Sequence, residues 1–298
     1  MQFVQLPEIN FRSQSSTEAP AISEHKSRLE PSLRANLAAP LVMIVANSLK
    51  SGEKSVDKRP LTELISNDPA WPMVKGWLSE AKNLVEVLPA TAPQNAEALV
   101  ATQVTTRSSM GSIIYETGGI LVDHGWIRIL GSGSSKLPRT LPGWNITATG
   151  SGPGENDFLL IGDDVIGGFF ALNGGGLPGQ TGQTGQTGNV CYFAPDTLEW
   201  EDLDIPYSGF LEFCLHGDLE TYYKAFRWSG WQTDVAALNG DQAYSAFPFY
   251  FTETADTKRD RKPVTVAELY ELLVIYWPNQ IEKQRLKPGQ QIKIQISE

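Results

Sequence analysis

The sequence predicts an α+β domain: an antiparallel sheet of about five or six strands with helices packed on one face. Two observations carry that expectation. Phe158 to Asn173 and Val190 to Asp202 read as strand, acidic turn, strand, loop, strand, acidic turn. Short apolar runs alternate there with Gly and Asp, which tolerate the bent and left-handed backbone of turns. Elsewhere apolar residues recur at helical spacing, as at Trp71, Val74, Leu78 and Ala81.

The elements follow in order. Asn67 or Asp68 can cap a helix that opens at Pro69, where a missing N–H costs nothing. Val85 to Leu88 is a short strand, and Pro93 to Gln103 a second helix. Ile120–Val122 and Trp126–Leu130 flank Asp123-His-Gly125 as a hairpin. Gly162-Asp163-Asp164 supplies a turn between Phe158–Ile161 and Phe169–Leu172. Gly179 to Gly188 repeats Gly-Gln-Thr and reads as a mobile loop tip with nothing to bury. Tyr207 to His216 is helical, with Phe210, Leu211, Cys214 and Leu215 on one stripe, and the rhythm continues from Leu219 to Phe226. Asp256 to Lys262 reads as a solvated loop. Val264 to Tyr276 is a helix with a capping-box spacing from Thr265 to Glu268, and Ile292 to Ile296 alternates like a strand.

Three segments differ in composition. Residues 1–60 are near +2, rich in Ser, Pro, Glu and Arg, and read as a disordered or mis-annotated arm. Residues 61–263 form the α+β domain, and residues 264–298 a C-terminal helix and polar tail packed on it or extending it. Leu37 to Ser48 is apolar but interrupted by Pro40 and too short to span a bilayer. Initiation at Met43 instead of Met1 would erase most of that patch. The body after residue 60 is near −12, which disfavours nucleic acid. Cys191 and Cys214 lie in apolar contexts and cannot frame a disulfide scaffold, so a cytoplasmic setting is expected. No membrane association, metal or cofactor is expected.

Chemistry-bearing groups are few, and each has a plain structural reading. Asp123-His124 could form an oriented base in a cleft with Glu116 and Arg107, although a hairpin turn is the favoured reading of the pair. His216 suits the end of a helix. Gly131-Ser-Gly-Ser-Ser-Lys136 begins like a phosphate loop, but Lys136 replaces the third glycine and two prolines follow in place of a helix. Asp163-Asp164 with Glu155 and Asp157 could bind a hard cation, without the spacing of a known loop. Trp228 and Trp231 suit either a core or an interface.

The run from Leu61 to about Pro263 resembles the bacterial domain-of-unknown-function 2625 family. The resemblance rests on Asp68-Pro-Ala-Trp-Pro72, Gln103-Val-Thr-Thr-Arg107, Glu116-Thr-Gly-Gly119, Gly125 to Gly133, Gly167-Gly-Phe-Phe-Ala171, Tyr192-Phe-Ala-Pro-Asp196 and Asn239-Gly-Asp-Gln242. It implies no activity. A more distant likeness, to the SUKH superfamily, rests on Gly162 to Leu172, Val190-Cys-Tyr-Phe193 and Tyr207-Ser-Gly-Phe-Leu-Glu-Phe213. That superfamily includes immunity proteins against bacterial toxins, so it implies a non-catalytic module with a protein partner, a toxin. Binding would then fall on Asp163, Asp164, Trp228 and Trp231. An enzyme using the His124 cleft, and a structural module without a specific ligand, are the alternatives. Composition leaves the oligomeric state open.

Overall fold

The computed structural model describes residues 58–177, 185–252 and 259–284. Most of the N-terminal arm, most of the Gly-Gln-Thr tract, the alternating run at 292–296 and the alternative start at Met43 lie outside the described residues.

Strands β1 (Val85–Pro89), β2 (Thr117–Val122), β3 (Ile127–Leu130), β4 (Phe158–Asp164), β5 (Phe169–Asn173), β6 (Asn189–Ala194) and β7 (Glu199–Pro206) form one seven-stranded sheet in chain order. Every neighbouring pair is antiparallel. A separate two-stranded sheet pairs β8 (Gln242–Phe247) with β9 (Asp260–Thr265). The α+β class is as expected, and the main sheet is slightly larger.

Helices α1 (Leu61–Leu64), α2 (Trp71–Ser79), α3 (Gln94–Thr102) and α4 (Ser109–Glu116) precede or interrupt the first strands. Helix α5 (Leu141–Thr149) joins β3 to β4, and α6 (Tyr207–His216), α7 (Leu219–Tyr222) and α8 (Trp231–Ala236) follow β7. Helix α9 (Val266–Tyr270) runs through a π-helical turn (Glu271–Tyr276) into α10 (Trp277–Gln284). Its start carries the capping box expected from sequence, with Thr265 and Glu268 bonded reciprocally.

Helices cover both faces of the sheet rather than one. Neighbouring strand residues point to opposite faces. On β5, Phe169 meets Trp144 of α5 and Tyr270 of α9, whereas Phe170 meets Phe210 of α6. Two-sided burial also explains the continuous apolar runs Phe169 to Leu172 and Val190 to Phe193, which would alternate if one face met water.

Other local expectations shift. Helix α2 starts after Ala70 without a side-chain cap, so neither Asn67 nor Asp68 caps it, and the proline of its first turn is Pro72. Asp163 and Asp164 belong to β4, and the turn is Val165–Gly168. Residues 260–262 pair in β9 instead of looping. Helix α5 follows the Gly-Ser segment because Thr140 caps it and Pro142 sits in its first turn, where proline is tolerated.

Candidate functional site

The β4 carboxylates point to opposite faces and meet different chemistry. Asp163 is fully buried opposite Arg128 in the β3–β4 ladder and accepts from its Nε at 2.5 Å. Arg139, arriving from the segment before α5, ion-pairs with the same carboxylate and stacks over the Trp144 ring at 4.9 Å. Burial pulls the Arg128 pKa below its ordinary value, and the Arg139 charge adds to that while Asp163 opposes it. Arginine nevertheless remains the cation suited to such a pairing, because its planar fork matches a carboxylate.

Among the described residues the Asp164 carboxylate is held by hydroxyl and backbone donors, with no ion pair. Its Oδ1 accepts from the backbone N–H of Ile166 at 3.0 Å and Gly168 at 2.8 Å, which shapes the β4–β5 turn. Its Oδ2 accepts from the hydroxyls of Tyr192 at 2.7 Å and Tyr223 at 3.2 Å. Burial raises the Asp164 pKa, and burial together with the Asp164 charge pushes both tyrosines well up. Gly168 is required by this close approach, since a Cβ there would lie 2.2 Å from the Tyr192 hydroxyl and 2.3 Å from Asp164 Oδ2. Both aspartates are at most 1% exposed, so neither presents a surface for binding, and the expected exposed acidic turn is corrected.

A second constellation forms at the β2–β3 hairpin tip and does reach solvent. Asp123 and His124 take left-handed backbone angles, φ 52° and 61°, as the turn requires. Asp123 ion-pairs with Arg227, and His124 is exposed with its ring edge-on to Trp231 at 5.7 Å. The Arg227 guanidinium lies 4.2 Å from the Trp231 ring and 5.2 Å from the Trp126 ring. Trp228 adjoins Trp126 at 5.7 Å, donates its indole N–H to Asp234 at 2.6 Å and carries Arg261 over its face at 4.4 Å. The adjacent Asp123 and His124 and the nearby Trp228 and Trp231, about a hundred residues further along the chain, thus share one patch, with Trp231 buried beneath it. Arg227 and Arg261 join them without any spacing signal that would have found them.

The remaining candidates disperse. Arg107 precedes the eight-residue α4 and Glu116 ends it, about 12 Å of helix apart. The six-residue β2 then carries the chain roughly 20 Å further to His124, so the three residues do not share a cleft. The N–H groups of Ser132, Gly133 and Ser134 bond the carbonyls of Thr117, Gly118 and Leu137, which leaves no phosphate cradle. Glu155 and Asp157 precede β4, at the end of the strand opposite Asp163, and Glu155 accepts from Gly152 N–H. Among the described residues no three His, Cys, Asp or Glu side chains are grouped to hold a metal ion, and no helix is long and apolar enough to cross a membrane. Cys191 and Cys214 are both buried, and burial pushes the Cys214 pKa well up. His216 ends α6 and meets Glu212 one turn earlier, as a helix-terminal residue does.

No solved structure matches the chain at a significant level. An Escherichia coli K12 relative described as putative uncharacterized protein YbfG is 42% identical over 215 residues, covering 72% of this chain and 95% of the relative. An uncharacterized protein of Haemophilus influenzae is 42% identical over 194 residues, covering 65% of this chain and 79% of the relative. Residues 61–269 match the family described as protein of unknown function DUF2625, and the chain belongs to that family.

Proposed function

We propose that this protein is a non-catalytic protein-binding module of SUKH-like type, acting in the cytoplasm, and that it contacts its partner through the hairpin-tip patch. The convergence of exposed His124 and partly exposed Arg227, Trp228 and Arg261 around the buried Trp231 carries this reading. Trp, Tyr and Arg are the residues in which interface energy concentrates, because each offers large contact area with a polar or charged handle. A toxin neutralised by this surface is the partner that the resemblance favours.

The test is photo-crosslinking in the native host. A photoreactive residue replaces exposed Gln232 on α8, and in a control protein it replaces exposed Ile146 on α5. One discrete adduct at position 232, absent from the control and lost with Trp228→Ala, supports the reading. Identical adducts at both positions, or none at 232, would refute it. A toxin gene beside the gene for this protein would favour the immunity role.

A further inference from the structure

We infer that Asp163, Arg128 and Arg139 form a buried latch that holds the β8–β9 hairpin against the main sheet, and that the hairpin opens as a unit when the latch is released. The hairpin's ladder is its own: β8 pairs with β9 and neither joins the seven-stranded sheet. Its charged attachments lie at the turn before β8 and at the first residue of β8. Arg128 donates through Nη1 to the Gln242 carbonyl, and Arg139 through Nη2 to the Gly240 carbonyl at 3.0 Å. Arg139 Nε lies 3.2 Å from Asp241. Both guanidiniums are oriented by one carboxylate, Asp163, on a strand of the main sheet. Gly240 fits closely enough that a Cβ would lie 2.0 Å from the Lys136 carbonyl oxygen.

The main sheet reaches β8 itself through the N–H of Tyr244, which bonds the Val165 carbonyl at 2.7 Å. Apolar packing adds to the attachment, as in the contact of Phe226 with Tyr250 and the stacking of Phe249 and Phe251 near Trp277. That packing is non-directional, whereas the latch fixes where the turn sits. The consequence reaches the surface. Tyr244 packs its ring against Trp228 at 5.3 Å and donates its hydroxyl to the Asp234 carbonyl, while Arg261 covers the Trp228 face. Releasing the latch therefore removes one wall of the hairpin-tip patch. Only this last consequence rests on the function proposed above; the opening itself does not.

Native-state hydrogen exchange on the isolated protein tests the latch without any partner, so its failure is separable from failure of the binding proposal. Three variants divide the work. Asp163→Asn removes the charge that orients both arginines. Asp241→Asn removes one outer contact on a side chain that is 45% exposed, so the fold survives. Gly240→Ala wedges the turn away without changing any charge. The expected result is at least tenfold faster exchange at 242–247 and 260–265 in Asp163→Asn and Gly240→Ala, and a smaller rise there in Asp241→Asn. Protection in β5 and β6 remains above that of the hairpin in all three variants. If Asp163→Asn does not fold, the other two variants decide. Unchanged exchange of the hairpin in both, or a hairpin no less protected than β5 and β6, would overturn the inference.

Discussion

Asp163 and Asp164 are adjacent in sequence and equally buried, yet the two sides of the sheet treat them as different chemical species. On the α5 side Asp163 is a carboxylate between two arginines, so its charge is matched and directed. On the α6 side Asp164 meets hydroxyls and backbone N–H groups, which stabilise a carboxylate without neutralising it. The difference shows in the consequences of burial: Asp164 is driven toward its neutral form, while Asp163 serves as a structural anion. One residue of strand register thus separates an ionic latch from a turn-forming hydrogen-bond hub.

The largest expected effect is at Asp163. Asp163→Ala leaves two buried guanidiniums without their shared anion and should cost about 3–5 kcal/mol in urea unfolding. A loss below 1 kcal/mol would show that the arginines find other partners. Asp164→Ala comes next: it strands two tyrosine hydroxyls and two backbone donors but no charge, so about 2–3 kcal/mol is expected.

Asp164→Asn should cost under about 1 kcal/mol, because an amide oxygen still accepts the turn N–H groups and no charge needs burial. The sign of its pH dependence sharpens the comparison. The folded-state pKa of Asp164 is raised, so the unfolded chain ionises first as pH rises and the wild type loses stability over that range. The gap between wild type and Asp164→Asn should therefore narrow as pH rises through the unfolded pKa of about 3.9. A gap that widens would mean that the carboxylate is stabilised in the fold.

The smallest effect is expected outside the core. His124→Gly should stay within about 0.5 kcal/mol, since the imidazole is exposed and glycine suits the positive φ. A larger loss would show that the ring edge against Trp231 carries structure.

Much of the fold was legible because it rests on local rules. The Asp123-His124-Gly125 hairpin, the α6 stripe and the Thr265–Glu268 capping box each need only neighbours in sequence. The errors have equally local causes. Gly162-Asp163-Asp164 has turn composition, but Arg128 and Arg139 compensate one carboxylate and tyrosines the other, so the strand continues through both. Two prolines near α5 read as helix breakers, although one precedes the cap and the other occupies the first turn. Of the candidate site, Asp123, His124, Trp228 and Trp231 were visible as residue types, while Arg227 and Arg261 were not, because nothing in their spacing marks what they stack against.

The sequence by itself determined the α+β class, the succession β1 to β6 and the family, since apolar periodicity, turn chemistry and long shared motifs all lie along the chain, whereas nothing in its pattern marked β7 or the β8–β9 hairpin. Tertiary structure alone decided which side of the sheet each aspartate faces, that helices cover both sides, and that Arg227 meets Asp123 across about a hundred residues of chain. The physical reason is range. Turn propensity and amphipathic period act over a few residues, whereas the environment of a buried charge is supplied by side chains that only the closed fold brings within hydrogen-bond distance.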